Sequence, residues 1–135
     1  MFLSKICLGI DMVRTASQDQ IKKRDKMERI FNKLVRDNIP DIIASNGEES
    51  VTRILADEEY KVELYKKLLE EAKEVISSKN SDETIEELAD VLEILSSIAE
   101  LNGKKLDDVL KTANQKKLKR GGFEKRIFLE KTYKK

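Results

Sequence analysis

Two short stretches, LEEAKE at residues 69–74 and ELADVL at residues 87–92, decide the fold. Each belongs to a longer segment, 57–77 or 82–102, in which apolar residues recur at helical spacing. An apolar stripe with a period near 3.6 predicts an amphipathic helix. Because the linker between the two segments is short, we expect the two helices to pack antiparallel.

A third helical pattern covers residues 106–118 and ends before Gly121-Gly122. A shorter helix is expected just after Pro40 and should end at the turn pair Asn46-Gly47. A second pair of this kind, Asn102-Gly103, is expected to end the second long helix. Aromatic residues make up only 5% of the chain and charged residues 39%, which is typical of helices rather than of a β-sandwich. We therefore predict an all-α, antiparallel helical bundle.

We expect the chain to divide into an N-terminal extension over residues 1–30, which is not necessarily native, and one domain over residues 31–135. We expect the extension to be flexible because its polar part has no apolar stripe, and one hypothesis is that the natural product begins at Met27. The apolar stretch at the start is too short to span a membrane, and it does not form a convincing signal peptide. With a single cysteine, Cys7, no internal disulfide can form, so a cytoplasmic protein without a membrane partner is expected.

Composition excludes several kinds of active site. The chain has no histidine, which removes imidazole acid–base catalysis, histidine-containing triads and zinc sites that use imidazole. The single cysteine also excludes a Cys-x-x-Cys metal site. Any metal must therefore be held by oxygen ligands, which favours Mg²⁺, Mn²⁺ or Ca²⁺ over zinc.

Charge is distributed unevenly along the chain although the net charge is only +1. Residues 57–100 contain 14 acidic and 5 basic residues, whereas residues 101–135 contain 4 acidic and 12 basic residues. An acidic centre and a basic tail would suit a metal-bound polyphosphate. The two blocks could equally attract each other within the fold or across a dimer, and this alternative stays open.

Four carboxylates stand out on the two long helices. At about 100° per residue, Glu71 and Glu87 fall inside the apolar arcs, and Glu74 and Asp90 lie at their edges. Each helix carries its pair at i, i+3, so that the pair shares a face and can converge on one cation. In the alternative reading, lysines such as Lys67 pair with these acids on a solvated surface. Glu70 projects away from Glu71, and we expect it to be a surface charge.

These residues resemble the MazG-like, all-α nucleoside triphosphate pyrophosphohydrolases. EEAKE followed by ELAD is similar to the E-E-x-x-E and E-x-x-D signature of that superfamily, and NQKKLKR at 114–120 is similar to its Asn/Lys/Arg element. KLVRDNIPDII and RGGFEKRIFLE resemble its house-cleaning, phosphoribosyl-ATP pyrophosphohydrolase-like branch. The resemblance covers about residues 31–130.

The resemblance implies hydrolysis of nucleoside triphosphates, expected to be noncanonical ones, to a monophosphate and pyrophosphate. It implies Mg²⁺, with Mn²⁺ as an alternative, as the cofactor. The implied metal-binding and catalytic residues are Glu71, Glu74, Glu87 and Asp90. The expected substrate-binding residues are Asn114, Lys117 and Arg120 on the third long helix, with Lys33 and Arg36 as further candidates for phosphate contact.

Two alternatives to this function remain open. One is phosphoribosyl-ATP pyrophosphohydrolase activity, which breaks the same type of bond. The other is a non-enzymatic helical dimer that binds a partner through its basic tail, although no nucleic-acid-binding motif is present and nucleic acid is not an expected partner. The wide apolar face of residues 85–101 predicts a homodimer or a higher oligomer.

Overall fold

A computed structural model describes residues 28–135, which form four helices and no strand. The helices are α1 (Ile39–Ser45), α2 (Asp57–Ser77), α3 (Ser81–Leu101) and α4 (Leu106–Arg120). The prediction of an all-α fold is confirmed for this part of the chain. The predicted flexible extension over residues 1–30 lies, apart from its last three residues, outside the described part, and the division into extension and domain stays a prediction.

Local sequence explains where the long helices begin and end. The Asn80 side chain accepts a hydrogen bond of 2.9 Å from the backbone N–H of Glu83 and so caps the start of α3. Gly103 and Gly121 adopt positive φ angles of 69° and 80°, which favour glycine and lie just beyond the ends of α3 and α4. The observed boundaries of the three long helices agree with the predicted ones to within two residues.

The core lies mainly between α2 and α3, which pack along one another after a linker of three residues, 78–80. Leu64 from α2 and Ile94 from α3 are 3% and 8% exposed. Helix α4 packs on α3 through a smaller contact. A separate apolar cluster forms around Ile39 at the start of α1, against Val35, Ile42 and Ile43. This second cluster anchors the segment that leads into α1.

Much of the apolar surface stays exposed in the single chain. On α2 and α3, Ile76 and Ile85 are 84% and 65% exposed, although both lie on the apolar arcs predicted from sequence. The tail residues Phe123, Ile127 and Phe128 are exposed as well, so they do not join the core of the single chain. Among the described residues, no helix combines the length and hydropathy needed to cross a membrane.

Candidate metal centre

Three carboxylates from α2 and α3 meet at one edge of the core. Glu71 comes from α2, and Glu87 and Asp90 come from α3, with one oxygen of each lying within 4.8 Å of the others. Glu71 and Glu87 are 2% and 1% exposed, and Asp90 is half-buried. The three carboxylates lie close together because the short linker between α2 and α3 places the end of α2 beside the start of α3.

Glu74 lies one helical turn beyond Glu71 on α2 and is half-buried. It does not belong to the group of three carboxylates whose oxygens lie within 4.8 Å of one another. The i, i+3 spacing keeps Glu74 on the same side of the helix as Glu71. Its role as a metal ligand therefore stays a prediction.

Lys67 is a nearly buried side chain beside Glu71. It is 9% exposed, and its Nζ lies 3.3 Å from Glu71 Oε1 and 3.4 Å from Glu70 Oε2. Burial raises the pKa of Glu71, Lys67 opposes the rise, and the negative charges of Asp90 and Glu70 add to it. From sequence, Lys67 is expected only as a partner of these acids on a solvated surface, although its i, i+4 spacing from Glu71 places both residues on one face of α2.

The segment before α1 supplies two more cations at this edge. Arg36 Nη2 donates to Asp90 Oδ1 at 2.7 Å, and Lys33 Nζ donates to Glu70 Oε1 at 3.4 Å. Glu70, expected from sequence to be a surface charge, is half-buried and bridges Lys33 and Lys67. The physical reason is that the segment before α1 reaches the rim of α2, which a helical wheel cannot show.

The three candidates on α4 are placed differently. Asn114, Lys117 and Arg120 are exposed, and Lys117 pairs with Glu124 at 3.4 Å. Within residues 28–135, no hydrogen bond or ion pair joins any of the three to the carboxylate group. Their contact with substrate stays a prediction, whereas Lys33 and Arg36 lie beside the acidic residues of this site.

The donor atoms fit a divalent cation. Glu71 Oε2 and Asp90 Oδ2 are buried and have no hydrogen-bond partner among the described residues. Buried carboxylate oxygens without partners are costly, and a bound divalent cation would offset this cost. Carboxylate oxygens are hard ligands of the kind that Mg²⁺, Mn²⁺ and Ca²⁺ prefer. Glu71, Glu87 and Asp90 could together hold one such ion.

Residues 48–122 match the family model of the MazG nucleotide pyrophosphohydrolase domain. The matched range contains helices α2, α3 and α4 and all three carboxylates, but neither Lys33 nor Arg36. A search of curated proteins and a search of solved structures each found no match. Because the matched range covers more than half of the 135 residues, this chain belongs to the MazG nucleotide pyrophosphohydrolase family.

Proposed function

We propose that this protein hydrolyses nucleoside triphosphates to a monophosphate and pyrophosphate with Mg²⁺ as the cofactor and Mn²⁺ as an alternative. Family membership supports a nucleotide pyrophosphohydrolase in general. The observation that carries the proposal is the convergence of Glu71, Glu87 and Asp90, with buried oxygens of Glu71 and Asp90 that accept no hydrogen bond. Noncanonical nucleotides are the substrates we expect.

The carboxylates would bind the cation and fix its position against the core. Glu71 and Glu87 are held rigidly by burial, whereas Asp90 stands at the rim where substrate can approach. Glu74, one turn further along α2, is the fourth candidate ligand. A divalent cation in such a site neutralises phosphate charge and lowers the pKa of bound water, so that water can attack at neutral pH.

Cations around the carboxylates would bind the triphosphate. Arg36 can contact two phosphate oxygens at once because its guanidinium is planar, whereas Lys33 acts as a point charge. Both come from the segment that the Ile39 cluster anchors beside the acidic group. On α4, Lys117 and Arg120 are further candidates for phosphate contact, and Asn114 is a candidate for orienting the substrate.

Self-association belongs to the same proposal. Large apolar residues remain exposed on α2, on α3 and in the tail after Arg120, which is more apolar surface than monomeric proteins usually leave in contact with water. The acidic helices and the basic tail of a second copy would also complement each other in charge. We propose a homodimer or a higher oligomer, and sedimentation equilibrium would establish the number of copies.

Product analysis tests the activity. Purified protein is incubated with Mg²⁺ and a panel of ordinary and modified nucleoside triphosphates, and the products are separated by ion-exchange chromatography. We expect monophosphate and pyrophosphate from the wild type and none from Glu87→Gln. Glu86→Gln removes the same charge from an exposed neighbouring position on α3 and should remain active.

The outcomes separate the candidate functions. Release of inorganic phosphate in place of pyrophosphate would contradict cleavage between the α- and β-phosphates. Turnover of phosphoribosyl-ATP alone would identify the alternative enzyme. No turnover of any compound, with Mg²⁺ or with Mn²⁺, would overturn the enzymatic proposal and favour a helical module that binds a partner through its basic tail.

A further inference from the structure

Arg36 pairs with Asp90, a carboxylate that a divalent metal ion would also bind. Arg36 Nη2 lies 2.7 Å from Asp90 Oδ1, while Asp90 Oδ2 is buried and accepts no hydrogen bond from the described residues. A guanidinium and a divalent cation on one carboxylate repel each other at short range. A metal ion on Asp90 Oδ2 would therefore weaken the contact of Arg36 with Oδ1 of the same carboxylate and favour departure of the guanidinium.

Arg36 is built so that its side chain can leave while its backbone stays. Its carbonyl accepts a hydrogen bond of 3.0 Å from the N–H of Ile39, and Val35 packs against Ile39, which is 2% exposed. The Arg36 side chain itself is 46% exposed. The guanidinium can thus exchange partners without disturbing the apolar cluster that holds this segment in place.

Lys67 differs from Arg36 in this respect. It lies on the same helix as Glu71, one turn away, and its side chain is 11% exposed. A buried ammonium that pairs with both Glu70 and Glu71 has less freedom to exchange partners than an exposed guanidinium. Of these two basic side chains, Arg36 is the one that can change partners when a metal ion binds.

We propose that Arg36 is an exchangeable positioning residue that couples cation binding to nucleotide binding. Without a cation it holds Asp90; when the cation binds Asp90, the guanidinium is released and binds the phosphates of the nucleotide. This inference rests on the proposed function, because it takes Asp90 as a cation ligand and a polyphosphate as the substrate. The coupling is reciprocal, so bound nucleotide tightens cation binding by the same factor.

Two binding measurements on Arg36→Gln test the exchange. Titration with Mn²⁺ alone, followed by electron paramagnetic resonance of the free ion, should show roughly three- to tenfold tighter binding than in the wild type, because the competitor for Asp90 is gone. Titration with an α,β-methylene triphosphate analogue in saturating Mn²⁺ should show at least about tenfold weaker binding, because a charged contact to phosphate is lost. Opposite shifts in the two affinities distinguish exchange from general damage to the fold.

Arg53→Gln is the matched control. Arg53 pairs with Glu59 at the start of α2, and this pair is more exposed than the Arg36–Asp90 pair. The control removes an arginine and breaks one Arg–carboxylate pair, so both affinities should equal those of the wild type. Arg36→Lys keeps the charge and should recover part of the nucleotide affinity, which reports on the site without a change in net charge.

The results separate failure of the exchange from failure of the proposed function. If wild type binds Mn²⁺ and Glu71→Gln does not, but Arg36→Gln binds it with unchanged or weaker affinity, the exchange is overturned and the metal site stands. If the wild type binds no Mn²⁺ at all, the metal site and the exchange are both overturned. Tighter Mn²⁺ binding by Arg36→Gln together with weaker nucleotide binding supports the exchange.

Discussion

Replacing Glu71 by glutamine should stabilise the metal-free protein and abolish its response to Mg²⁺. Glu71 is 2% exposed, and one of its oxygens lies within 4.8 Å of oxygens of Glu87 and Asp90. Burial raises its pKa despite the opposing charge of Lys67. Ionisation of Glu71 is therefore less favourable in the folded state than in the unfolded chain. Glutamine imitates the neutral side chain at nearly the same volume.

Coulomb's law gives the size of the effect. With an effective dielectric constant of about 20, two like charges about 5 Å apart repel each other by about 3 kcal/mol. On the same scale, Lys67 at 3.3 Å attracts Glu71 by about 5 kcal/mol. Repulsion from two carboxylates exceeds this attraction, so we expect glutamine to raise the free energy of unfolding by about 1–2 kcal/mol. For a domain of this size the melting temperature should rise by about 4–8 °C.

Thermal melts followed by circular dichroism measure the melting temperatures of wild type and Glu71→Gln, first in EDTA and then in saturating Mg²⁺. Wild type should be stabilised by Mg²⁺, because a ligand that binds only the folded state shifts the equilibrium towards it. Glu86→Gln serves as the control, since it removes one exposed negative charge from α3. It should change the free energy of unfolding by no more than about 0.5 kcal/mol and keep the Mg²⁺ response.

Two results would refute this reasoning separately. If Glu71→Gln melts at a lower temperature than the wild type in EDTA, the ionised carboxylate of Glu71 stabilises the wild type. The attraction by Lys67 would then exceed the repulsion by the two other carboxylates. If Glu71→Gln keeps the full response to Mg²⁺, Glu71 is not a ligand, whatever its effect on the metal-free protein.

Three further predictions concern stability. As pH rises through the raised pKa of Glu71, the metal-free wild type should lose stability relative to Glu71→Gln, because the folded state binds the proton more tightly than the unfolded state; melts in EDTA at several pH values would contradict this if the difference stayed constant. Asn80→Ala removes the cap of α3 and should lower the free energy of unfolding in urea by about 1 kcal/mol, with the Mg²⁺ response retained. An unchanged urea midpoint would contradict a stabilising role for this cap. Leu64→Ala should cost about 2–4 kcal/mol, whereas Leu69→Ala, at a position 65% exposed, should cost less than about 1 kcal/mol in dilute protein; equal losses would show that Leu69 is covered.

The helices could be predicted from local signals because those signals act over a few residues. Apolar periodicity marked α2 and α3, and the turn pairs Asn46-Gly47 and Asn102-Gly103 marked where α1 and α3 end. A short linker between two amphipathic helices left the antiparallel hairpin as the expected arrangement. Placing Glu71 and Glu87 inside the apolar arcs then indicated buried carboxylates, and both are buried.

Helical periodicity did not reveal which residues from other segments neighbour these acids. The pairing of Arg36 with Asp90 joins residues 54 positions apart, and no spacing rule relates them. The bridge from Lys33 to Glu70 arises in the same way, since the segment before α1 reaches the rim of α2 only in the folded chain.

Sequence by itself thus determined the all-α class, the helix boundaries and the acidic residues that the core would take in. Tertiary structure alone decided that Arg36 and Lys33, from a distant segment, pair with Asp90 and Glu70, whereas the pairing of Lys67 with Glu71 follows from i, i+4 spacing on one helix. The physical reason is the sequence separation of the interacting residues. Hydrogen bonding and apolar periodicity along a helix depend on residues that are neighbours in the sequence. The electrostatic surroundings of a buried carboxylate, in contrast, depend on every charge that folding brings within a few ångströms.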